Sequence, residues 1–420
     1  MIEGRPSPSE FASPSRADSR VALVTVAFCY VIALFEGFDL QAAGVAAPKL
    51  GPAFRMAPGQ LGWFFSASTF GLMLGAALGG RLSDRYGRKA VLIGAVAVFG
   101  VMSVLTGLAP NVDALLIARF FTGLGIGGAL PNLVALVSEN TAPARKNTSV
   151  GFLYAGLPSG GALASLVAAL AAGGPWSVVF FAGGIAPLVA IPLLVWLLPE
   201  SRQLRAAQQL PTAARRAPRS VAFALFSEGR TACTLPLWFS FFLALLTMYL
   251  LLNWLPTLLV SRGMNRADAS LVQLSFNLLG ALGSIATGLL MDWISLRRVV
   301  VASFLSAAAC LLLLANVRPV LASALAVGGL VGMTMSATQA LMYALAPRIY
   351  RTEFRGTGVG SAVAVGRLGS ALGPILAGAL LASGRRPQQV LQMLVPVMLL
   401  AGGMALILVV MMKRRDSAHL

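Results

Sequence analysis

The stretch "TACTLPLWFSFFLALLTMYLLLNWLPTLLVS", Thr231 to Ser261, contains no charged residue. A hydrocarbon core needs ~20 apolar residues per helix, and this run exceeds that requirement. It reads as a lipid-spanning helix, and the rest of the chain repeats the pattern. Ala269 to Met291 and Val299 to Val317 are also uncharged, and Asn147 to Pro199 is an uncharged block long enough for two spans hinged at Gly173-Gly174-Pro175. Over all 420 residues, 57% are hydrophobic and 11% charged, with a mean hydropathy of +0.82. Those values exclude an ordinary soluble domain.

Twelve spans are predicted near 21–48, 60–82, 90–109, 113–138, 148–171, 176–198, 231–261, 267–292, 298–316, 319–346, 355–383 and 388–412. The expected fold is an all-α membrane protein of two six-helix halves. Residues 1–20 form a Ser/Pro-rich disordered tail, 21–198 the first bundle, 199–230 a central loop, 231–412 the second bundle and 413–420 a short tail. The first twenty residues have no apolar stretch and do not read as a signal peptide.

Lys and Arg placement sets the expected orientation. Of 32 basic residues, 23 fall in the tails and the alternate loops on their side, seven fall on the other side, and two, Arg119 and Arg367, lie within spans. Both termini are therefore expected to be cytoplasmic, in a bacterial-type inner membrane. Basic loops account for the net charge of +18 without any nucleic-acid partner. Cys29, Cys233 and Cys310 lie in hydrophobic spans and the only histidine is His419, so no metal set or disulfide framework is expected.

The two halves echo each other. "GGRLSDRYGRK" has a counterpart in "GLLMDWISLRR", placing Asp84 and Asp292 208 positions apart. Arg145 and Arg355, and Gly156 and Gly366, are each 210 apart. Parallel repeats of this kind build transporters with a site near the midplane.

Within the first span, "FEGFDLQ" (Phe35 to Gln41) carries two carboxylates. A charge at the bilayer centre costs ~2.5–3.5 kcal/mol on insertion scales, so such residues default to function. Glu36 and Asp39 lie about 60° apart on a helix with ~4.5 Å of rise between them, so both can look into one cavity. Arg119 falls at comparable depth; its structural alternative is a counter-ion that only holds helices together beside Gly123 and Gly127. With no histidine in any span, a proton relay must use Glu36 and Asp39, with Arg119 as coupling partner. Arg367 is central in the eleventh span with no acid of its own half at that depth, and its fork suits a ligand carboxylate. Its alternatives are capping of loosened carbonyls or pairing with an acid of the first half.

Candidates to line the cavity are Tyr30, Gln41, Asn132, Tyr154, Tyr249, Asn253, Trp254, Asn277, Gln339 and Tyr343. They offer flat walls and hydrogen-bond partners for a small ligand, although any one aromatic in a bundle more often serves packing. Gly71, Gly75 and Gly79 read as helix packing.

"GGRLSDRYGRKA" resembles the loop signature of the major facilitator superfamily through Gly80, Asp84, Gly87, Arg88 and Lys89, and "LPES" after the sixth span is also typical. "EGFDLQAAGVAAP" is similar to the Asp-Gly-x-Asp motif of the aromatic acid:proton symporter family, with Glu36 in place of the first Asp. With "RFFTGLGIGGALPNLVAL", "NWLPTLLV", "YALAP" and "RGTGVGSAVAVGRLGSALGP", the chain looks most like the 3-(3-hydroxyphenyl)propionate transporters.

The resemblance implies a proton-coupled importer of a small aromatic carboxylate, monomeric, needing no cofactor beyond the coupling proton. It also implies a conformational latch at the helix ends by Gly80, Asp84, Gly87, Arg88, Lys89, Arg145 and Asp292, with interface ion pairs holding the outward-facing state. An exporter working by proton antiport is the first alternative, since "GLPSGG" (Gly156 to Gly161) resembles an antiporter motif interrupted by Leu157. A membrane sensor of aromatic acids is the second. An enzyme is not expected, because no nucleophile motif or metal cluster is visible.

Overall fold

A computed structural model describes residues 16–142, 145–198, 221–227, 230–350 and 355–418. Of the tail expected over 1–20, residues 1–15 fall outside the described residues and 16–20 open the first helix; of the loop expected over 199–230, residues 199–220, 228 and 229 fall outside them and Val221–Phe226 is helical. Twelve helices in the described part are long and apolar enough to cross a membrane. They are α1 (Arg16–Ala53), α2 (Pro58–Tyr86), α3 (Arg88–Gly107), α4 (Val112–Asn140), α5 (Lys146–Leu170) and α6 (Val178–Leu197), then α7 (Thr231–Val260), α8 (Arg266–Trp293), α9 (Leu296–Asn316), α10 (Leu321–Ile349), α11 (Arg355–Ala382) and α12 (Pro387–Ala418). A short helix, Val221–Phe226, precedes α7.

Helix ends differ most from the sequence expectation at α1, which continues through Pro48 and Pro52 rather than stopping at the first of them. Proline inside a helix removes one hydrogen bond, which neighbouring helices compensate in a membrane bundle. Interior prolines also occur in α4 (Pro131), α5 (Pro158), α7 (Pro236, Pro256) and α11 (Pro374).

Glycine contacts place the helices, and they do so twice. A Cβ on Gly75 of α2 would strike the Leu124 carbonyl of α4, and one on Gly283 of α8 would strike the Met333 carbonyl of α10. Likewise Gly160 of α5 abuts the Leu34 backbone of α1, and Gly369 of α11 abuts the Phe242 backbone of α7. Without a hydrophobic drive between helices in lipid, such backbone approach supplies the packing energy. Each half therefore uses the same pairings, α1 on α5 and α2 on α4, then α7 on α11 and α8 on α10.

The halves meet through α1 with α7, α2 with α11 and α5 with α8. The contacts are tightest at the end away from the start of α1 and the close of α12. There Gly62 packs on the Pro374 backbone, Gly378 on Pro58 and Gly44 on Leu252 and Asn253. Ser66 Oγ donates to the Ala371 carbonyl across the interface at 2.6 Å. At the other end, added Cβ atoms on Gly80 (α2), Gly151 (α5), Gly288 (α8) and Gly356 and Gly360 (α11) would meet nothing within 4 Å. These close contacts between the halves thus gather at one end, the shut end, while the glycines named at the other, the parted end, have open space beside them.

Overpacking a close helix contact costs roughly 1–3 kcal/mol. Gly75→Val and Gly283→Val are expected to lower thermal stability of the purified protein by comparable amounts, while Gly80→Val leaves it unchanged. Equal melting for all three would refute the packing role.

Candidate functional site

Four charged side chains sit at the depth where the halves meet, and they are compensated very differently. Asp39 on α1 is fully buried, as is Arg119 on α4. The Arg119 guanidinium donates to Asp39 Oδ2 at 2.8 Å and to the Asp39 main-chain carbonyl at 3.2 Å. Ser103 Oγ of α3 donates to the other carboxylate oxygen at 2.6 Å. The Phe180 ring of α6 covers the guanidinium at 5.8 Å. This cluster ties α1, α3, α4 and α6 together within one half and leaves Asp39 paired and hydrogen-bonded on both oxygens.

Glu36, one turn earlier on α1, is equally buried, yet neither of its oxygens has a hydrogen-bond partner. A buried carboxylate is costly when unpaired. Neither acid reaches solvent in this conformation, so both stand behind the cavity surface rather than on it.

Arg367 of α11 is half-buried and donates to the Tyr249 hydroxyl of α7 at 2.5 Å, with its charge 5.7 Å from the centre of that ring. Tyr343 of α10, Tyr154 of α5 and Glu36 stand close enough to interact electrostatically with it. Among the described residues no carboxylate forms an ion pair with Arg367; the two pairs present are Arg119 with Asp39 and Arg88 with Glu139. At the 210-residue offset that relates the halves, Tyr249 occupies the place of Asp39. One half neutralises its arginine with a carboxylate, and the other offers its arginine only a phenol.

Tyr154 is 45% exposed, Tyr343 half-buried with its ring edge-on to Phe241 at 5.2 Å, and Gln339 half-buried. Tyr30 donates to Ser159 Oγ at 3.0 Å and stacks on Phe152.

Several expected lining residues are engaged elsewhere. Gln41 of α1 and Asn277 of α8 exchange amide hydrogen bonds at 2.8 and 2.7 Å, and Gln273 donates to Gln41 at 3.2 Å, all buried across the interface. Trp254 is buried in the shut end, donating from Nε1 to the Pro374 carbonyl at 3.0 Å with Phe65 edge-on to it. Asn253 donates to the Tyr249 carbonyl and Asn132 to the Gly128 carbonyl, each within its own helix and each at 2.8 Å. In this conformation these groups hold helices and the interface.

At the parted end, Gly87 turns the chain between α2 and α3 at φ +93°, a backbone that side chains rarely adopt. Arg88 pairs with Glu139 of its own half, and Lys89 caps the Val195 carbonyl at 2.7 Å. Arg145 precedes α5, and Arg145 and Asp292 are exposed; the Asp84 side chain lies outside the described residues. Among the described residues the ion pair of this loop, Arg88 with Glu139, lies within one half.

Ser103, Ser159, Gln273 and Glu139 did not stand out in the sequence. Gln273 had a signal, being one turn before Asn277 on the same face; the others are ordinary residue types whose role comes from their neighbours.

The family model described as Major Facilitator Superfamily matches residues 29–315 and 237–419. The chain belongs to that superfamily. This facilitator is 41% identical, over 96% of its length and 97% of the relative's, to the 3-(3-hydroxy-phenyl)propionate transporter of Escherichia coli (strain K12). It is 34% identical to the gallate transporter of Pseudomonas putida, with 85% of each chain covered, and 33% identical to the 4-hydroxybenzoate transporter of the same species, with 92% of each covered. These relatives are transporters, and the facilitator is a multi-pass membrane transporter rather than an enzyme. Its fold is like that of a bacterial homologue of the lysosomal transporter Spinster in an inward-facing state (TM-score 0.75, 17% identity, 96% of this chain and 99% of that one). It is also like that of a D-xylose-proton symporter (TM-score 0.72, 18% identity, 91% and 96% covered).

Removing one partner of a buried ion pair costs roughly 3–5 kcal/mol, because the other charge is stranded. In this facilitator Asp39→Asn and Arg119→Gln are each expected to lower thermal stability strongly, and the double variant to regain much of the loss. A double variant no better than the worse single one would argue against the pair.

Proposed function

We propose that this facilitator imports a small aromatic carboxylate, 3-(3-hydroxyphenyl)propionate or a related hydroxylated phenylpropanoid or benzoate, together with protons. It works by alternating access in a bacterial-type inner membrane, with both termini cytoplasmic, as a monomer with no cofactor beyond the proton. With that orientation the parted end faces the cytoplasm and the conformation described is inward-facing. The named substrates of the relatives, all aromatic acids or their anions by name, support the substrate class.

The observation that carries the reading is the Arg367 guanidinium, met only by phenols and standing near a Glu36 without partners. A substrate carboxylate supplies the missing anion, in the forked geometry guanidinium favours. The Tyr154 and Tyr343 rings and hydroxyls, with Gln339, serve the aromatic ring and its hydroxyl.

Glu36 carries the transported proton in this scheme, and Asp39 stays charged against Arg119. With Glu36 neutral, Arg367 is free for the substrate. Once Glu36 ionises, it becomes a rival anion for the same arginine, and the substrate is released. Proton and substrate thus exchange at one cation.

The test is uptake of labelled 3-(3-hydroxyphenyl)propionate into proteoliposomes under an imposed inward proton gradient. Wild type is expected to accumulate substrate only with the gradient. Glu36→Gln is expected to lose accumulation but keep counterflow, and Arg367→Ala to weaken binding roughly 30-fold or more, as for loss of one partner in a buried charged contact. Gradient-independent accumulation by wild type would refute symport; normal binding by Arg367→Ala would move the anchor away from that residue.

A further inference from the structure

A second cationic site lies away from the central one. At the shut end, Arg262 after α7, Arg318 between α9 and α10, and Arg386 just before α12 line one cavity of about 350 Å³, with Gln388 and the rings of Pro319 and Pro387. Only seven of the 32 basic residues were assigned to this side of the chain, and three of them converge here. Cytoplasmic bias in basic residues works against such a cluster.

The arginines differ in how they are held. Arg262 is half-buried and donates to the Leu314 carbonyl at 2.8 Å and to that of Val317, which fixes its guanidinium at the C-terminal end of α9. Its burial disfavours the charged form, pushing its pKa below the usual arginine range. Arg318 and Arg386 are exposed. Among the described residues no carboxylate forms an ion pair with any of the three. The acid nearest in sequence, Asp268, lies in the first turn of α8, where the N-cap Asn265 donates to it at 2.7 Å. Three positive charges therefore share a cavity without an anion.

The cavity's position narrows what that anion is. It sits where helices leave the hydrocarbon, at headgroup level. Its walls come from the ends of α7, α9 and α12, and α9 and α12 take no part in the main contacts between the halves. A transported acid moving between the halves would not pass through it. Arginine forks match phosphate oxygens bidentately, and a phospholipid presents its phosphate at the level where span ends emerge.

We propose that this cavity binds the phosphate of a phospholipid headgroup in the leaflet at the shut end, with Arg318 and Arg386 closing on it over the fixed charge of Arg262. The site is independent of the transported substrate.

The test is native mass spectrometry and thermal melting of the delipidated full-length protein, titrated with phosphatidylglycerol, phosphatidylcholine or inorganic phosphate. Wild type is expected to retain phosphatidylglycerol and to melt higher with it. Arg318→Gln/Arg386→Gln is expected to bind at least about tenfold more weakly, as for loss of charge-assisted hydrogen bonds, and Arg318→Lys/Arg386→Lys to fall between. Both side chains are exposed, and an unchanged melting point of the lipid-free variants verifies that the fold is intact. Equal phosphatidylglycerol affinity in wild type and the glutamine variant overturns the proposal. Equal protection by inorganic phosphate alone, lost in the glutamine variant, overturns the lipid as occupant and assigns free phosphate instead.

Discussion

Net charge inside a low-dielectric bundle has to be close to zero, and this constraint organises the centre of the protein. Two acids and two arginines lie within the spans there: Glu36, Asp39, Arg119 and Arg367. Asp39 and Arg119 cancel each other at 2.8 Å, with Ser103 completing the carboxylate's hydrogen bonds. That arrangement is closed, and it fastens four helices of one half. Glu36 and Arg367 could cancel in the same way but do not form an ion pair in this conformation. They belong to opposite halves, so their separation depends on how the halves stand. A charge balance that is fixed inside a half is structural; one that spans two moving halves can be linked to their motion.

The duplicated architecture makes this asymmetry possible. Paired glycine contacts give both halves one packing scheme, with Gly75 on Leu124 matched by Gly283 on Met333. Because the backbone scheme does not depend on the polar residues, those residues are free to diverge. Tyr249 stands where Asp39 stands in the first half, and Arg367 stands opposite Leu157. A scaffold made twice thus carries an ion pair on one side and, on the other, an arginine that no described carboxylate pairs.

The fold was legible because membrane spans are written in composition. Uncharged runs, loop signatures and alternating basic clusters located twelve helices, with errors at ends such as Pro48, where tertiary contacts outweigh the cost of proline. The ionisable residues of the centre, Glu36, Asp39, Arg119 and Arg367, were legible by type, since a charge in a span is costly enough to need a partner or a role. Their partners were not. Spacing along α1 places Glu36 and Asp39 on neighbouring faces, but whether each meets a guanidinium or nothing depends on the separation and rotation of other helices. The polar residues Gln41, Asn277 and Trp254 show the same limit. A hydrogen-bonding side chain in a span needs a partner, and the sequence does not say whether that partner is a ligand or the facing helix.

The shut end has a further consequence. At this end Ser66 of α2 donates across the interface to the Ala371 carbonyl of α11, and Trp254 of α7 donates within the second half to the Pro374 carbonyl of the same helix. A carbonyl is present whatever residue occupies the position, and it neither titrates nor responds to ionic strength. The acceptor side of that closure is therefore silent to most substitutions along α11. Changes that alter how firmly these bonds hold should arise at Ser66 and Trp254, where the donors are, whereas on α11 the close approach of Gly378 to Pro58 leaves no room for a side chain.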